Sequence, residues 1–216
     1  MTLPNKLSIL RICMVPLFII AYFLPYSWGA FVAVAIFVLA AATDFLDGYI
    51  ARKYNMVSDL GKLLDPIADK VLVCAALFCV VATNPLSYLE LQGFVGADNF
   101  GVIFLAVGAT LIISRELLIS AVRQIAAAKG VVVQANMYGK LKTVFQDISL
   151  PLLVFLHGAN IVAKNELMQS NDYTPSTFNI IVWWIAMIMF AISVVLTIVS
   201  GVIYLVQNRK VFAKKV

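Results

Sequence analysis

Apolar residues form six long runs along the 216-residue chain, and polar residues gather mainly between these runs. The runs cover roughly residues 7–24, 29–52, 62–82, 100–127, 138–161 and 178–206. Each is long enough to cross the hydrocarbon core of a bilayer as an α-helix, and a helix satisfies its own backbone hydrogen bonds there. The pattern therefore predicts an all-α, polytopic membrane protein with six transmembrane helices.

The N-terminus carries its own signals. The stretch Thr2-Leu3-Pro4-Asn5 is typical of a helix start, and it predicts a short N-terminal interfacial segment ahead of the first span. The first apolar run lacks a small-residue cleavage site at its end, so we expect a retained helix instead of a signal peptide. No Gly/Ser/Pro-rich linker divides the chain, which predicts one membrane domain over residues 1–216.

Charge is scarce and asymmetric. Only 12% of residues are charged, 62% are hydrophobic, and the net charge is +5. Six spans put both termini on one side, and the basic residues assigned to that side are Lys6, Arg11, Arg52, Lys53, Lys62, Lys129, Lys140, Lys142, Arg209, Lys210, Lys214 and Lys215. The positive-inside rule makes that side cytoplasmic. Basic residues form no dense stripe, so nucleic acid is not a predicted partner.

Aromatic residues support the same topology. Trp28, Trp183 and Trp184 fall near the predicted outer ends of helices, where we expect them to anchor the membrane interface. The three cysteines, Cys13, Cys74 and Cys79, lie inside apolar runs and are read as small hydrophobic residues.

Four aspartates occur close together in this acid-poor chain. Asp44, Asp47, Asp65 and Asp69 are four of only eleven acidic residues, and they lie inside or beside apolar runs. Ionisable residues at membrane depth are costly and usually functional. The spacings of three and four residues put each pair on one helix face, and an antiparallel hairpin with its turn near residues 56–57 would bring both pairs to a similar depth.

Such a group of carboxylates predicts a metal site. Close, buried carboxylates cannot all stay ionised without cations, and Mg²⁺ and Mn²⁺ both favour carboxylate oxygens combined with substrate phosphates. Small residues at Gly48 and Ala51 leave space for a ligand, and Arg52 is a donor suited to phosphate oxygens. The alternative is a set of structural ion pairs with Arg52, Lys62 and Lys70, which seldom add net stability when buried.

The window from Asp44 to Asp69 resembles the signature of the CDP-alcohol phosphatidyltransferase family. It matches at eight positions, which are Asp44, Asp47, Gly48, Ala51, Arg52, Gly61, Asp65 and Asp69. Three further segments are similar to the bacterial phosphatidylglycerophosphate synthase branch of that family: residues 4–8 with Arg11, residues 114–116, and residues 138–143.

This resemblance implies a reaction and a site. CDP-diacylglycerol and sn-glycerol 3-phosphate would give phosphatidylglycerophosphate and CMP in a homodimer of the bacterial cytoplasmic (inner) membrane. Asp44, Asp47 and Asp65 would hold one ion, and Asp44, Asp65 and Asp69 a second, with Asp69 as the catalytic base. The CDP-diacylglycerol pocket would be formed by Asn5, Ser8, Gly48, Ala51, Arg52, Ser58 and Gly61.

The acceptor phosphate needs a separate basic site. Arg115, Arg123, Lys140 and Lys142 cluster at the cytoplasmic ends of the fourth and fifth spans, and an intramembrane arginine needs a partner. Arg115 could instead pair with Asp147 or Glu116. Lys140 and Lys142 are two residues apart, so in a regular helix only one of them faces the site.

Other functions remain open from the sequence. Serine, inositol phosphate or phosphatidylglycerol could be the acceptor, although the basic cluster favours one that carries a phosphate. A divalent-cation transporter would explain the four aspartates but neither the basic residues nor the Gly-x-x-Ala-Arg spacing. A polyprenyl-diphosphate transferase is disfavoured because there is a single aspartate window.

Replacing Asp69 by asparagine tests its role as the base. If the carboxylate accepts the proton of the attacking hydroxyl, Asp69→Asn lowers kcat by about 10²–10⁴-fold, while CDP-diacylglycerol still binds. Turnover and equilibrium binding of the lipid nucleotide would be measured on the purified variant. Normal turnover would remove Asp69 from the chemistry.

Overall fold

The computed structural model describes the backbone of residues 3–54, 59–87, 99–128, 137–170 and 176–207. Within these ranges the side chains of residues 3–5, 44–54, 59–66, 69, 127–128 and 169–170 lie outside the description. The regular elements are α1 Leu3–Tyr22, α2 Ser27–Tyr54, α3 Asp59–Thr83, α4 Phe100–Ala128, α5 Met137–Ser170 and α6 Thr177–Gln207. All regular structure in the described ranges is helical, which confirms the predicted all-α class.

The apolar helices make this an integral membrane protein. Three described stretches are long and apolar enough to cross a bilayer: Phe100–Ala126, Met137–Met168 and Thr177–Gln207. Two shorter apolar stretches, Ser27–Thr43 and Lys70–Thr83, belong to α2 and α3. The short interfacial segment expected at the N-terminus is continuous with α1, which begins at Leu3.

Besides the earlier start of α1, two helix boundaries differ from the predicted ones by three residues or more. Helix α3 begins at Asp59, so Pro66 lies inside the helix and not in its first turn, where a proline costs least. Helix α5 runs from Met137 to Ser170, 34 residues, and at 1.5 Å per residue it is about 50 Å long. Polar residues beyond residue 161 continue the helix outside the apolar run that the hydropathy pattern detects.

The core lies where the helices meet. Helix α5 packs on α2, α3 and α6, α1 packs on α2 and α3, and α4 packs on α3 and α6. Phe18, Phe37, Leu105, Leu153 and Phe190 are buried there. Small residues permit these close approaches, as is common between membrane helices. A Cβ atom at Gly108 of α4 would lie only 2.5 Å from the Phe190 ring of α6.

Hydrogen bonds join the helices at the end where α3 finishes. Trp183 Nε1 donates to the Leu86 carbonyl oxygen at 3.0 Å. Asn160 Nδ2 donates to the Pro85 carbonyl oxygen at 3.0 Å and to Ser87 Oγ at 3.2 Å. These contacts fasten the turn after α3 to α5 and α6. This is the end opposite the one that carries the N-terminus of α1.

The interface role predicted for Trp183 is wrong, because its side chain is buried with 2% of its surface exposed. Trp28 and Trp184 are about half exposed, as interface anchors would be. Hydropathy patterns locate a helix end but do not say which side of it faces lipid. His157, at the same end, stacks on the Tyr22 ring at 4.4 Å between centroids, so it is a packing residue.

Candidate active site

The four aspartates occupy two consecutive helices. Positions 44 and 47 lie within one turn of α2, and positions 65 and 69 lie about one turn apart on α3. The predicted helical spacing of each pair is therefore present in the backbone. Their side chains lie outside the described residues, so the carboxylate cluster stays a prediction. Among the side chains that are described, no group of three or more His, Cys, Asp or Glu could hold a metal.

The residues predicted for the nucleotide pocket lie on three helices. Asn5 and Ser8 lie on α1, Gly48, Ala51 and Arg52 on the last part of α2, and Gly61 near the start of α3. Ser58 falls outside the described residues. Of this set only Ser8 has a described side chain, and it is fully buried together with Arg11, one turn further along α1.

A polar cavity lies between α3, α4 and α5. Its volume is about 50 Å³ and it is partly open to the outside, with a lining of Lys70, Val73, Cys74, Ile112, Ile113, Glu116, Leu117, Lys142, Thr143, Gln146 and Asp147. We call this space the polar cavity. Its walls combine an apolar side from α3 and α4 with charged and amide groups from all three helices.

One carboxylate joins two cations in the wall of the polar cavity. Glu116 Oε1 accepts a hydrogen bond from Lys142 Nζ at 2.7 Å and another from Arg115 Nη1 at 2.9 Å. Lys142 is 2% exposed. A buried ammonium group needs a counter-charge and hydrogen-bond acceptors, and Glu116 supplies both. The alternative predicted for Arg115, an ion pair with Glu116, is present in the structure.

Arg115 is enclosed by two other helices. Its Nη2 donates to Ser200 Oγ of α6 at 3.0 Å. A Cβ atom at Gly139 of α5 would lie 3.2 Å from Arg115 Nη2, and one at Gly201 of α6 would lie 3.3 Å from Arg115 Cγ. The two glycines therefore leave the space that the arginine side chain fills. Gly201 has the packing role expected of a small residue in a membrane helix.

Lys70 of α3 lines the polar cavity and is hydrogen-bonded to α4. Lys70 Nζ donates to Ser120 Oγ, and Ser120 Oγ in turn donates to the Glu116 carbonyl oxygen at 2.7 Å. Lys70 lines the cavity and follows Asp69 directly in α3. The predicted catalytic position is therefore adjacent in the chain to one residue of the cavity lining.

The four predicted acceptor residues divide into two groups. Arg115 and Lys142 meet at Glu116. Lys140 is exposed, and Arg123 is exposed with its guanidinium carbon 5.9 Å from the centroid of the Tyr204 ring. The helical period explains the lysine result, since residues two apart point in different directions.

Several residues at this site were not predicted as site members. Glu116 and Lys70 were considered only as structural ion-pair partners, although an ionisable residue inside an apolar run is itself a signal of function. Gln146 and Ser200 carry no comparable signal. The Gln146 Oε1 atom is buried and has no hydrogen-bond partner within the described part of the chain, an arrangement that is uncommon in folded proteins.

Comparisons with known proteins agree on one family. The sequence model of the CDP-alcohol phosphatidyltransferase family matches residues 1–199. The chain is 40% identical over 164 residues to a CDP-diacylglycerol–glycerol-3-phosphate 3-phosphatidyltransferase of Bacillus subtilis, covering 70% of this chain and 76% of that protein. The protein of the same description from Rickettsia bellii is 33% identical over 211 residues, 97% of each chain. A cardiolipin synthase (CMP-forming) of Oryza sativa is 38% identical over 174 residues, 79% of this chain and 50% of that protein.

Proposed function

The chain belongs to the CDP-alcohol phosphatidyltransferase family, and from this we propose that it transfers the phosphatidyl group of CDP-diacylglycerol to sn-glycerol 3-phosphate. The products are phosphatidylglycerophosphate and CMP. The relatives from Bacillus subtilis and Rickettsia bellii carry this activity in their descriptions. The structural observation that carries the proposal is the polar cavity, whose lining contains the buried Lys142 and also Lys70, the residue that follows Asp69 of the family motif.

The charges of the cavity wall favour an acceptor with a phosphate. The described lining contains two cations, Lys70 and Lys142, and two acids, Glu116 and Asp147, while Arg115 pairs with Glu116 from outside the lining. Counted with Arg115, the network carries one net positive charge, in a low-dielectric setting where charge interacts strongly with an anion. Glycerol 3-phosphate supplies such an anion, whereas free serine supplies no phosphate.

Phosphatidylglycerol is the second candidate acceptor. The relative from Oryza sativa is described as a CMP-forming cardiolipin synthase. A phosphodiester would place one negative charge in the cavity, where glycerol 3-phosphate places up to two. The net positive charge of the network thus favours glycerol 3-phosphate, which is smaller and more highly charged than phosphatidylglycerol.

We propose that Asp44, Asp47, Asp65 and Asp69 hold two divalent ions, Mg²⁺ or Mn²⁺. The donor set fits, because carboxylate oxygens are the ligands these ions prefer and the four positions lie on two adjoining helices. When bound, the ions neutralise phosphate charge and make the phosphorus more electrophilic. Arg52 and the small residues Gly48, Ala51 and Gly61 would receive the cytidine diphosphate, with Asn5, Ser8 and Ser58 at its edge.

The chemistry assigned to the chain is proton transfer and positioning. Asp69 accepts the proton of a glycerol hydroxyl as the hydroxyl oxygen attacks the phosphorus that bears diacylglycerol. The bond from that phosphorus to the oxygen of the CMP phosphate breaks, and CMP leaves with the bonding electrons. Lys142 holds the acceptor phosphate while this happens, so the hydroxyl stays within reach of position 69.

The charge asymmetry of the helix ends supports both termini in the cytoplasm, and the bacterial relatives support a position in the bacterial inner membrane. Soluble CMP and glycerol 3-phosphate would then exchange with the cytoplasm, while the acyl chains stay in lipid. A homodimer is proposed from the family resemblance.

Product identification tests the proposed acceptor. Purified protein in detergent micelles would receive labelled CDP-diacylglycerol with Mg²⁺ and, separately, glycerol 3-phosphate, phosphatidylglycerol, inositol phosphate or serine. We expect phosphatidylglycerophosphate and stoichiometric CMP in the first reaction only. Cardiolipin as the main product would instead assign the enzyme to the second candidate.

Metal removal tests the divalent ions. Because four carboxylates are proposed to need cations to stay ionised and bind pyrophosphate, chelation with EDTA should abolish CMP release, and Mg²⁺ or Mn²⁺ should restore it. Ca²⁺ addition serves as the control for simple charge screening. Full turnover in chelated enzyme would contradict the two-ion proposal.

The two lysines of α5 provide a matched pair of variants. Lys142→Met removes a buried cation from the polar cavity and should raise the KM for glycerol 3-phosphate by about tenfold or more, as for loss of a charged hydrogen bond. Lys140→Met removes the same charge at an exposed position and should change this KM by less than about twofold. Steady-state kinetics with saturating CDP-diacylglycerol measures both. Equal effects would exclude a special role for the cavity lysine.

A further inference from the structure

Among the described residues, Arg115 is linked to the polar cavity through Glu116. In the described structure the cavity lining includes Glu116 and Lys142 but not Arg115. The arginine lies between α4, α5 and α6, where Glu116, Ser200, Gly139 and Gly201 surround it. Among the described residues, its side-chain hydrogen bonds run to Glu116 in the cavity wall and to Ser200 on the side away from the cavity.

Glu116 lies between Arg115 and Lys142. Its Oε1 atom accepts from both cations, at 2.7 Å from Lys142 Nζ and 2.9 Å from Arg115 Nη1. Two cations within 3 Å of one oxygen repel each other, and the shared carboxylate offsets that repulsion. The Glu116 carboxylate thus positions the Lys142 ammonium group. Arg115, which is hydrogen-bonded to Ser200 of α6, positions the carboxylate in turn.

We infer that Arg115 and Glu116 are a pair of positioning residues that set where Lys142 meets the acceptor phosphate. This inference rests on the proposed function and adds to it the residues that determine acceptor affinity. Arg115 acts through Glu116 without touching the substrate, and Glu116 keeps the buried lysine charged and aimed into the cavity.

Glu116 also carries a negative charge, which by itself would repel a phosphate. The burial of Lys142 decides which effect is larger. Lys142 has 2% of its surface exposed, so little water is available to replace a lost partner of its ammonium group. An unpaired buried cation either moves or loses its proton. Loss of Glu116 therefore weakens the acceptor site instead of strengthening it.

The test is a double-mutant cycle on acceptor affinity. Arg115→Gln, Glu116→Gln and the double variant would be purified, and KM measured separately for glycerol 3-phosphate and CDP-diacylglycerol. Each single change should raise the KM for glycerol 3-phosphate by about tenfold, and the double variant should lie within about twofold of the worse single variant, because both act through one contact. The KM for CDP-diacylglycerol and kcat should stay within about threefold.

Inorganic phosphate provides a second readout, because it has the phosphate group of the acceptor but no glycerol hydroxyl. As a competitive inhibitor against glycerol 3-phosphate it should lose affinity in Glu116→Gln by about the same factor as the substrate. Glu166→Gln is the matched control, since it removes the same charge from an exposed position on α5. If Glu116→Gln does not fold, Glu116→Asp retains the charge with a shorter reach and should show a smaller rise in the same KM only.

Three results would overturn the inference. Multiplicative effects in the double variant would mean that Arg115 contacts the phosphate independently. A lower KM for glycerol 3-phosphate in Glu116→Gln would make Glu116 a competitor of the substrate. Equal losses for both substrates would indicate a purely structural role.

Lys142→Met separates this inference from the proposed function. If that variant raises the acceptor KM but the Arg115 and Glu116 variants do not, the positioning pair is wrong while the acceptor site stands. If none of the three changes affects glycerol 3-phosphate or inorganic phosphate, the proposed acceptor site itself is wrong.

Discussion

The arrangement of this protein depends on how it places charge inside an apolar helical bundle. Lys142 is buried, and its ammonium group is accommodated by one carboxylate oxygen of Glu116, 2.7 Å away. Removing either partner from such a pair leaves an uncompensated charge, which costs roughly 3–5 kcal/mol. A bundle built only for stability would use apolar residues at these positions. The retained charges are explained by the substrate anion that they are proposed to bind.

The rest of the bundle holds this network in place. Close contacts such as Gly108 against Phe190 bring α4 and α6 together, and this places Ser200 beside Arg115. At the opposite end, Trp183 and Asn160 fasten the turn after α3 to α6 and α5. Together these contacts hold the helices around the cavity between α3, α4 and α5. Rigid elements of this kind are suited to holding two substrates in a defined geometry.

Much of this architecture could be predicted from residue patterns. The all-α class and the six helices of the described ranges were confirmed, because the hydropathy of a segment depends only on residues close together in the chain. The division between Lys140 and Lys142 followed from the helical period alone. Trp183 was misassigned because periodicity does not show which neighbour covers a residue, and the start of α3 was placed too late because polar residues before the apolar run are also helical. The aspartate side chains and the nucleotide pocket stay predictions.

By itself, the sequence determined the six helices of the described ranges, the uneven distribution of basic residues between helix ends, and the family motif with its four aspartates. Each depends on residues close together in the chain, and local spacing is sufficient to specify them. The tertiary structure decided which charges meet. Lys142 lies 26 residues from Glu116, and Ser200 lies 85 residues from Arg115, so only helix packing could bring them within hydrogen-bonding distance. Hydrogen bonds act over about 3 Å, and no spacing rule along the chain predicts a contact between separate helices at that precision.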